Sequence, residues 1–270
     1  MKRFVPAVLV AVLVLGTPPR ADAKQCGNNS SGFSAWVAEF QREASAQGIT
    51  ANTLAEALSN VKYATRTIHL DRTQKTFKMS FDEFMQKRGA DYIISRGRKL
   101  KAQYASLFDR IEAAYGVPAG PLIAIWGMET AFGKFSGDQD IFSPLATLAY
   151  DCRRSEFFEE QLYAALKLLQ TAQLSRAEMV GAGHGEIGQM QFLPVNYVRY
   201  GVDGDGNGRV DMVGSSADAL ASTANYLRAN GWKKGRGYQP GEPNFAAIQE
   251  WNKAGVYQKA IAAIGNSIDG

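Results

Sequence analysis

The chain has 270 residues, enough for one large domain or two modest ones, and its 46% hydrophobic and 21% charged residues are ordinary for a globular protein. The formal net charge is +4; residues 1–23 hold Lys2, Arg3 and Arg20 against Asp22, which leaves about +2 for the remainder. So small an excess makes no electrostatic case for nucleic acid and suits a neutral or an acidic glycan equally.

The first element is a leader. A basic start (Lys2, Arg3), an apolar run from Val5 to Leu15 and the closing Ala21-Asp22-Ala23 read as a secretory signal at 1–23, cleaved after Ala23. The run is too short to span a bilayer, and no later segment is long enough to do so. Two cysteines, Cys26 and Cys152, follow the leader. In an oxidising compartment an isolated pair is best read as one disulfide, with two buried free thiols as the alternative. A lipidated Cys26 is disfavoured, because Ala23-Lys24-Gln25 lacks a small residue directly before the cysteine.

Phe33, Trp36, Val37, Phe40 and Ala44 recur at helical spacing until Gly48, and a short helix from Thr50 carries Leu54, Ala57 and Leu58. Ser80 with Glu83 is a capping box that opens a helix bearing Phe81, Phe84 and Met85. Residues 90–115 read as one long helix or two, with Tyr92, Leu100, Tyr104, Leu107 and Ile111 on the buried side. The stretch 116–121 breaks that helix, and Pro121 suits the first turn of the next. Further helices are expected near 155–171, 215–230 and 244–264. Strand signals are few. The fold class is therefore mainly α, with a helical N-terminal layer over 24–78 packing on a larger domain over 79–270.

Between Ala113 and Phe132 only Glu129 is charged at neutral pH. In the helix opened by Pro121 it shares a face with Leu122, Ile125 and Trp126, near the C-terminal end where the helix dipole disfavours negative charge. Burial and dipole both push its pKa up, which is what a general acid for glycoside cleavage requires. Pairing with Arg153 or Arg154 would instead make Glu129 a structural ion pair; spacing alone leaves both readings open.

Residues 185–197, GEIGQMQFLPVNY, combine close-packing glycines with two amides (Gln189, Gln191), an aromatic (Phe192) and a proline that ends the segment. Amides beside an aromatic ring are what sugar hydroxyls and N-acetyl groups call for, although a glycine-rich turn with buried amides has the same composition. Residues 203–211, DGDGNGRVD, place Asp203, Asp205 and Asn207 at alternate positions, the start of an EF-hand-type calcium loop in which Arg209 would offer its backbone carbonyl. Gly214 stands where the bidentate glutamate belongs, leaving Asp211 and Asp218 as substitutes; a solvated acidic turn is the other reading.

Taken in order, AIWGMETAFGKFSG, LATLAYDCRRSEFF, GEIGQMQFLPVNYVRYGVDGDGNGRVD, DALASTANYLRANGW and EWNKAGVY resemble the lytic murein transglycosylase B family. The resemblance implies a lysozyme-like, mainly helical core that cleaves peptidoglycan glycan strands between N-acetylmuramic acid and N-acetylglucosamine. It assigns Glu129 as the single acid and base: the glutamate protonates the leaving oxygen, then takes the proton of the muramic acid C6 hydroxyl as that closes onto C1. A 1,6-anhydromuramic end results without consumption of water. The resemblance also assigns glycan contacts to Gln191, Phe192, Tyr226, Asn252 and Tyr257, with Gln189 beside them. It matches the loop over 203–218 to a structural calcium site with Asp218 as the late ligand, and it implies no cofactor for the chemistry. The implied setting is the periplasm, as a monomer acting on glycan strands, with cell-wall synthesis or envelope-assembly proteins as further candidate partners.

The chain departs from the family at GAGHGEIG, where GSWAGAMG is expected. Ala182 replaces a serine that lines the site in relatives. His184 reads as a surface or loop histidine rather than a base, and Glu186 as a charged rim residue. The alternatives are a lysozyme-type hydrolase with Glu186 as second carboxylate, or a non-catalytic, calcium-dependent peptidoglycan-binding module.

Overall fold

The structure, a computed structural model, describes residues 25–73 and 79–270. The predicted leader lies outside the described residues, as does the end of the N-terminal segment at 78. The architecture is built from helices, of which α7 (Ala119–Thr130) is the most completely buried. Helices α1 (Phe33–Ala46), α2 (Ala51–Leu58) and α4 (Phe81–Arg88) stand where periodicity and caps place them. Thr50 accepts from the Thr53 N–H and Ser80 from the Glu83 N–H, satisfying helix donors that have no intrahelical partner. The 90–115 segment is two helices, α5 (Ala90–Gln103) and α6 (Ala105–Tyr115), broken at Tyr104. Tyr92, expected on the buried side, is 62% exposed.

Periodicity missed three helices. Between α2 and α4 lies α3 (Thr65–Arg72), a polar helix whose buried residues are Thr67, Ile68 and Asp71. The second, α8 (Phe142–Tyr150), is buried at almost every position, so it shows no polar face from which a period could be read. The third, α10 (Pro194–Tyr200), is opened by Pro194, the residue read as a terminator; proline at the first helical position lacks only an N–H that would have been unpaired. The 244–264 segment is also two helices, α12 (Phe245–Trp251) and α13 (Gly255–Asp269). They are separated by Asn252, extended at φ −145°, whose side chain accepts from the Ala254 N–H.

The centre of the molecule is α7 (Ala119–Thr130), in which every residue except Glu129 is buried. Its most extensive packing is against α13, with α5 next. The two helices meet at Gly120 and Gly265: a Cβ on Gly120 would lie 2.3 Å from the Gly265 carbonyl oxygen, so the backbones approach where a side chain has no room. Asp269 near the end of α13 accepts the Gly120 N–H at 2.9 Å. Around this centre, α9 (Ser155–Gln170) packs on α8 and α10, and α11 (Ser216–Ala229) on α6. The N-terminal helices α1, α2 and α3 all touch α8. A disulfide joins Cys26 to Cys152, just beyond α8. The sheet among the described residues has two short antiparallel strands, β1 (Gln139–Asp140) and β2 (Val180–Gly181), with Gln139 opposite Gly181. No helix among the described residues is long and apolar enough to cross a membrane.

Candidate active site

Glu129 is the penultimate residue of α7, and immediately after the helix the backbone turns left-handed at Ala131 (φ 49°) and Phe132 (φ 65°). Non-glycine residues in that conformation cost about 1 kcal/mol or more each and persist only where the surroundings impose them. Here they end α7 abruptly and leave the Glu129 side chain at the floor of a cleft of about 300 Å³. The cleft is lined by Glu129, Glu186, Gln191, Phe192, Tyr226 and Asn252 from the sequence-predicted residues, and by Leu193, Asn196 and Trp251 in addition.

The Glu129 carboxyl is held asymmetrically. The Tyr257 hydroxyl donates to Oε1 at 2.6 Å and the Trp251 indole N–H to the same oxygen at 3.3 Å, whereas Oε2 accepts from no described residue. The break at Asn252 separates the two donors, so α12 contributes Trp251 and α13 contributes Tyr257 to one oxygen. Burial raises the Glu129 pKa from its ordinary 4.5 to about 7, outweighing the two hydrogen bonds and the Arg88 charge that pull it down; the Glu186 charge adds to the rise. Tyr257 is itself held well above its usual range, first by burial and then by the neighbouring carboxyl, and so remains a donor.

The ion-pair alternative for Glu129 does not hold. Arg153 and Arg154 both pair with the buried Asp71 of α3. The basic group nearest in influence is Arg88 of α4, which donates to the Met128 carbonyl at 3.2 Å and lies over the Tyr257 ring. Neither Arg88 nor Trp251 was assigned a role from sequence; Trp251 stood within a quoted motif, while Arg88 gave no local signal.

The predicted binding residues divide into two groups. Phe192, Tyr226 and Trp251 form a mutual edge-to-face aromatic cluster with centroids 5.2 to 6.1 Å apart. Tyr226 donates its hydroxyl to the Glu250 carbonyl, which fixes the ring. Gln191 adopts φ 52° and donates to the carbonyls of Ser136 and Gly188. Gln189 belongs to the frame instead of the cleft wall. It is buried, its Oε1 accepts from Trp126 at 3.1 Å and from Ser216 at 3.0 Å, and its Nε2 donates to the Val213 carbonyl. Gly188, at φ 74°, lets this loop lie against the Met212 carbonyl, 2.5 Å from where a Cβ would stand.

His184 stands in a loop, one of the two settings expected for it. Its side chain is 19% exposed, with Nδ1 3.6 Å from the Glu186 Oε1 and Nε2 4.0 Å from the Asp71 Oδ1. Its backbone N–H donates to the Glu186 Oε2 at 3.0 Å.

In the acidic loop, oxygen atoms of Asp203, Asp205 and Asp218 lie within 4.8 Å of one another. Gly206 and Asn207 donate to Asp203 Oδ1 and Gly208 to Oδ2; these bonds, Gly208 foremost, hold the Asp203 carboxyl below its usual range. Asp218 is fully buried at the start of α11 and accepts from Gly204, Asp205 and Asp211. Asp211 stands outside that trio and accepts the Val213 and Gly214 N–H groups. Asn207 accepts the Arg209 N–H, and the Arg209 side chain turns away to Glu178 at 2.7 Å.

Comparison with known proteins places these features in a family context. Residues 32–241 match the model of the transglycosylase SLT domain. The chain is similar to membrane-bound lytic murein transglycosylase B of Escherichia coli strain K12, 35% identical over 150 residues, which are 53% of this chain and 41% of that protein. It is similar in structure to SltB3 of Pseudomonas aeruginosa, solved with NAG-NAM-pentapeptide, at a TM-score of 0.82 and 30% identity over 88% of this chain and 80% of that one. SltB3 was also solved with NAG-anhNAM-pentapeptide, at a TM-score of 0.81 with the same identity and coverage. The fold is shared with Slt35 of Escherichia coli, solved with calcium, at a TM-score of 0.75 and 23% identity over 94% and 98% of the two chains.

Proposed function

Because the chain belongs to the transglycosylase SLT-domain family, we propose that it is a peptidoglycan lytic transglycosylase in which Glu129 serves as both acid and base. The match covers less than half the length of the curated relative, so activity and substrate rest on the cleft itself as well as on kinship. One observation carries the reading: a carboxyl with a pKa of about 7 presents one oxygen to a cleft while aromatic donors occupy the other. A proton on Oε2 is available to the glycosidic oxygen as the C1–O4 bond breaks. The resulting carboxylate remains hydrogen-bonded by Tyr257 and Trp251 through Oε1, and Oε2 is free to take the C6 hydroxyl proton as that oxygen closes onto C1. Phe192, Tyr226 and Trp251 offer apolar ring surface, and Gln191 and Asn252 polar groups, to the sugar units. The bound ligands of SltB3, a NAG-NAM peptide and its anhydro counterpart, agree with this substrate and product class.

The loop is suited to a structural calcium ion. Asp203, Asp205 and Asp218 are hard oxygen donors gathered in one place, with the nearby Arg209 side chain engaged elsewhere. Asp203, Asp205 and Asp218 would hold the ion, which would neutralise their mutual repulsion. Asp218 already ties the loop to α11, the helix that carries Tyr226, by accepting from Gly204, Asp205 and Asp211. The leader and the Cys26–Cys152 disulfide support an exported, periplasmic location.

The reading is tested by digesting purified peptidoglycan and analysing products by mass spectrometry. Anhydromuramic ends are expected, and their absence would sink the assignment.

A further inference from the structure

The cleft contains a feature that the proposed chemistry does not use. Glu186 lines the same cleft as an acid that, in the reading above, performs both proton transfers, and Glu129 and Glu186 are the carboxyl groups among its lining residues. Glu186 is also held in position. Its Oε2 accepts the His184 N–H, its Oε1 faces the His184 ring, and the far side of that ring faces the buried Asp71, which Arg153 and Arg154 anchor. The order carboxylate, imidazole, carboxylate leads from the cleft wall into the protein, and α3 braces it further as Thr67 donates to the Gly183 carbonyl at 2.8 Å. The Glu186 side chain is 25% exposed and lines the cleft. A surface carboxylate with no task needs no such backing.

Glycosidases that use water place one carboxyl as the acid and a second as the base that activates the water. We propose that Glu186 is such a base, so that this protein releases part of its product by hydrolysis, with free reducing muramic ends formed beside the anhydro ends. The inference rests on the glycan-cleaving reading given above. In the hydrolytic branch Glu129 gives its proton to O4 as the C1–O4 bond breaks. A water oxygen bonds to C1, its proton passes to the Glu186 carboxylate, and solvent exchange then resets both groups. The His184 backbone N–H, donated to Oε2 at 3.0 Å, sets the direction in which Glu186 points. The two branches share one acid and differ in which oxygen, C6 hydroxyl or water, reaches C1.

The test is digestion of intact peptidoglycan by the full chain in ¹⁸O-water, with immediate borohydride reduction and mass spectrometry. Wild-type protein is expected to give unlabelled anhydro ends together with ¹⁸O-labelled reduced ends. Glu186→Gln, which preserves size and an acceptor for the His184 N–H, should lower the labelled ends by roughly 10-fold or more while anhydro ends persist. Glu186→Asp, which shortens the reach by one methylene, should lower them as well and provides a second variant if the amide disturbs folding; melting curves compare all three. Anhydro ends alone from the wild type, or labelled ends undiminished in both variants, would overturn the role of Glu186. Labelled ends with no anhydro ends would overturn the transglycosylase reading instead.

Discussion

The protein treats its carboxylates in two opposite ways, and the contrast between the cleft and the acidic loop shows what controls each. At the cleft, Glu129 stands at the negative end of α7 and receives two donors on one oxygen, so burial dominates and its pKa rises to about 7. In the loop, Asp203 receives three backbone N–H groups over both oxygens, which outweigh desolvation, and its pKa falls. The outcome follows the balance of desolvation against donors facing the charged form, and the backbone of a tight glycine-containing loop supplies donors where a helix terminus supplies none.

Four measurements probe that contrast, from the largest effect to the smallest. Glu129→Gln should reduce peptidoglycan cleavage by roughly 10³-fold or more with the fold intact, because an amide cannot deliver the proton; substantial turnover by the purified variant would remove Glu129 from the chemistry.

The second concerns stability. A folded pKa raised above the unfolded value means that the native state keeps a proton which the unfolded chain has released. Stability is therefore complete below about pH 4.5 and falls as pH rises toward 7, by roughly 2–3 kcal/mol. Glu129→Gln removes that penalty, so the variant should melt progressively higher than wild type between pH 4 and pH 8. A constant difference across that range would break the account of the buried acid.

Calcium should act on the other region. At a hundredfold excess over its dissociation constant a bound ion stabilises by about 2.7 kcal/mol, read as a rise in melting temperature that chelator reverses. Asp203→Ala combined with Asp205→Ala should abolish the rise, and a wild type indifferent to calcium would leave the loop an acidic turn.

Smallest is Tyr257→Phe. Loss of a donor that favours the charged form moves the Glu129 pKa up, so the alkaline limb of activity should shift upward by about one pH unit. An unchanged limb would mean that the hydroxyl does not bear on the acid.

Much of this was legible in the sequence, for identifiable reasons. The capping residues Thr50 and Ser80 and the amphipathic stripe of α1 are local signals, and the corresponding helices stand where those signals put them; the break expected over 116–121 is shorter, since α7 begins at Ala119. The almost wholly buried α8 and the largely polar α3 give no such signal, because periodicity requires two unlike faces. Gln189 and Gln191 show the limit at the level of single residues. They sit two apart in one motif with identical side chains, yet one is spent inside the frame and the other lines the cleft. Glycine-rich loops have no fixed period from which side-chain direction can be deduced.

The sequence by itself determined that a lone carboxyl would lie in an apolar helix near its C-terminal end, that the class would be mainly helical, and that an oxygen-rich loop would follow a glycine-rich one. These are properties of composition and near-neighbour spacing, which short-range sterics and helix electrostatics govern. Only the tertiary structure decided that Trp251 and Tyr257, more than 120 positions away, converge on one oxygen of Glu129. Only the tertiary structure decided that Arg153 and Arg154 face Asp71 instead, and that His184 backs Glu186 at the cleft wall. Such pairings depend on which helices pack together, here α7 against α13 and α3 against α8, and that choice is made by the burial of the whole apolar core.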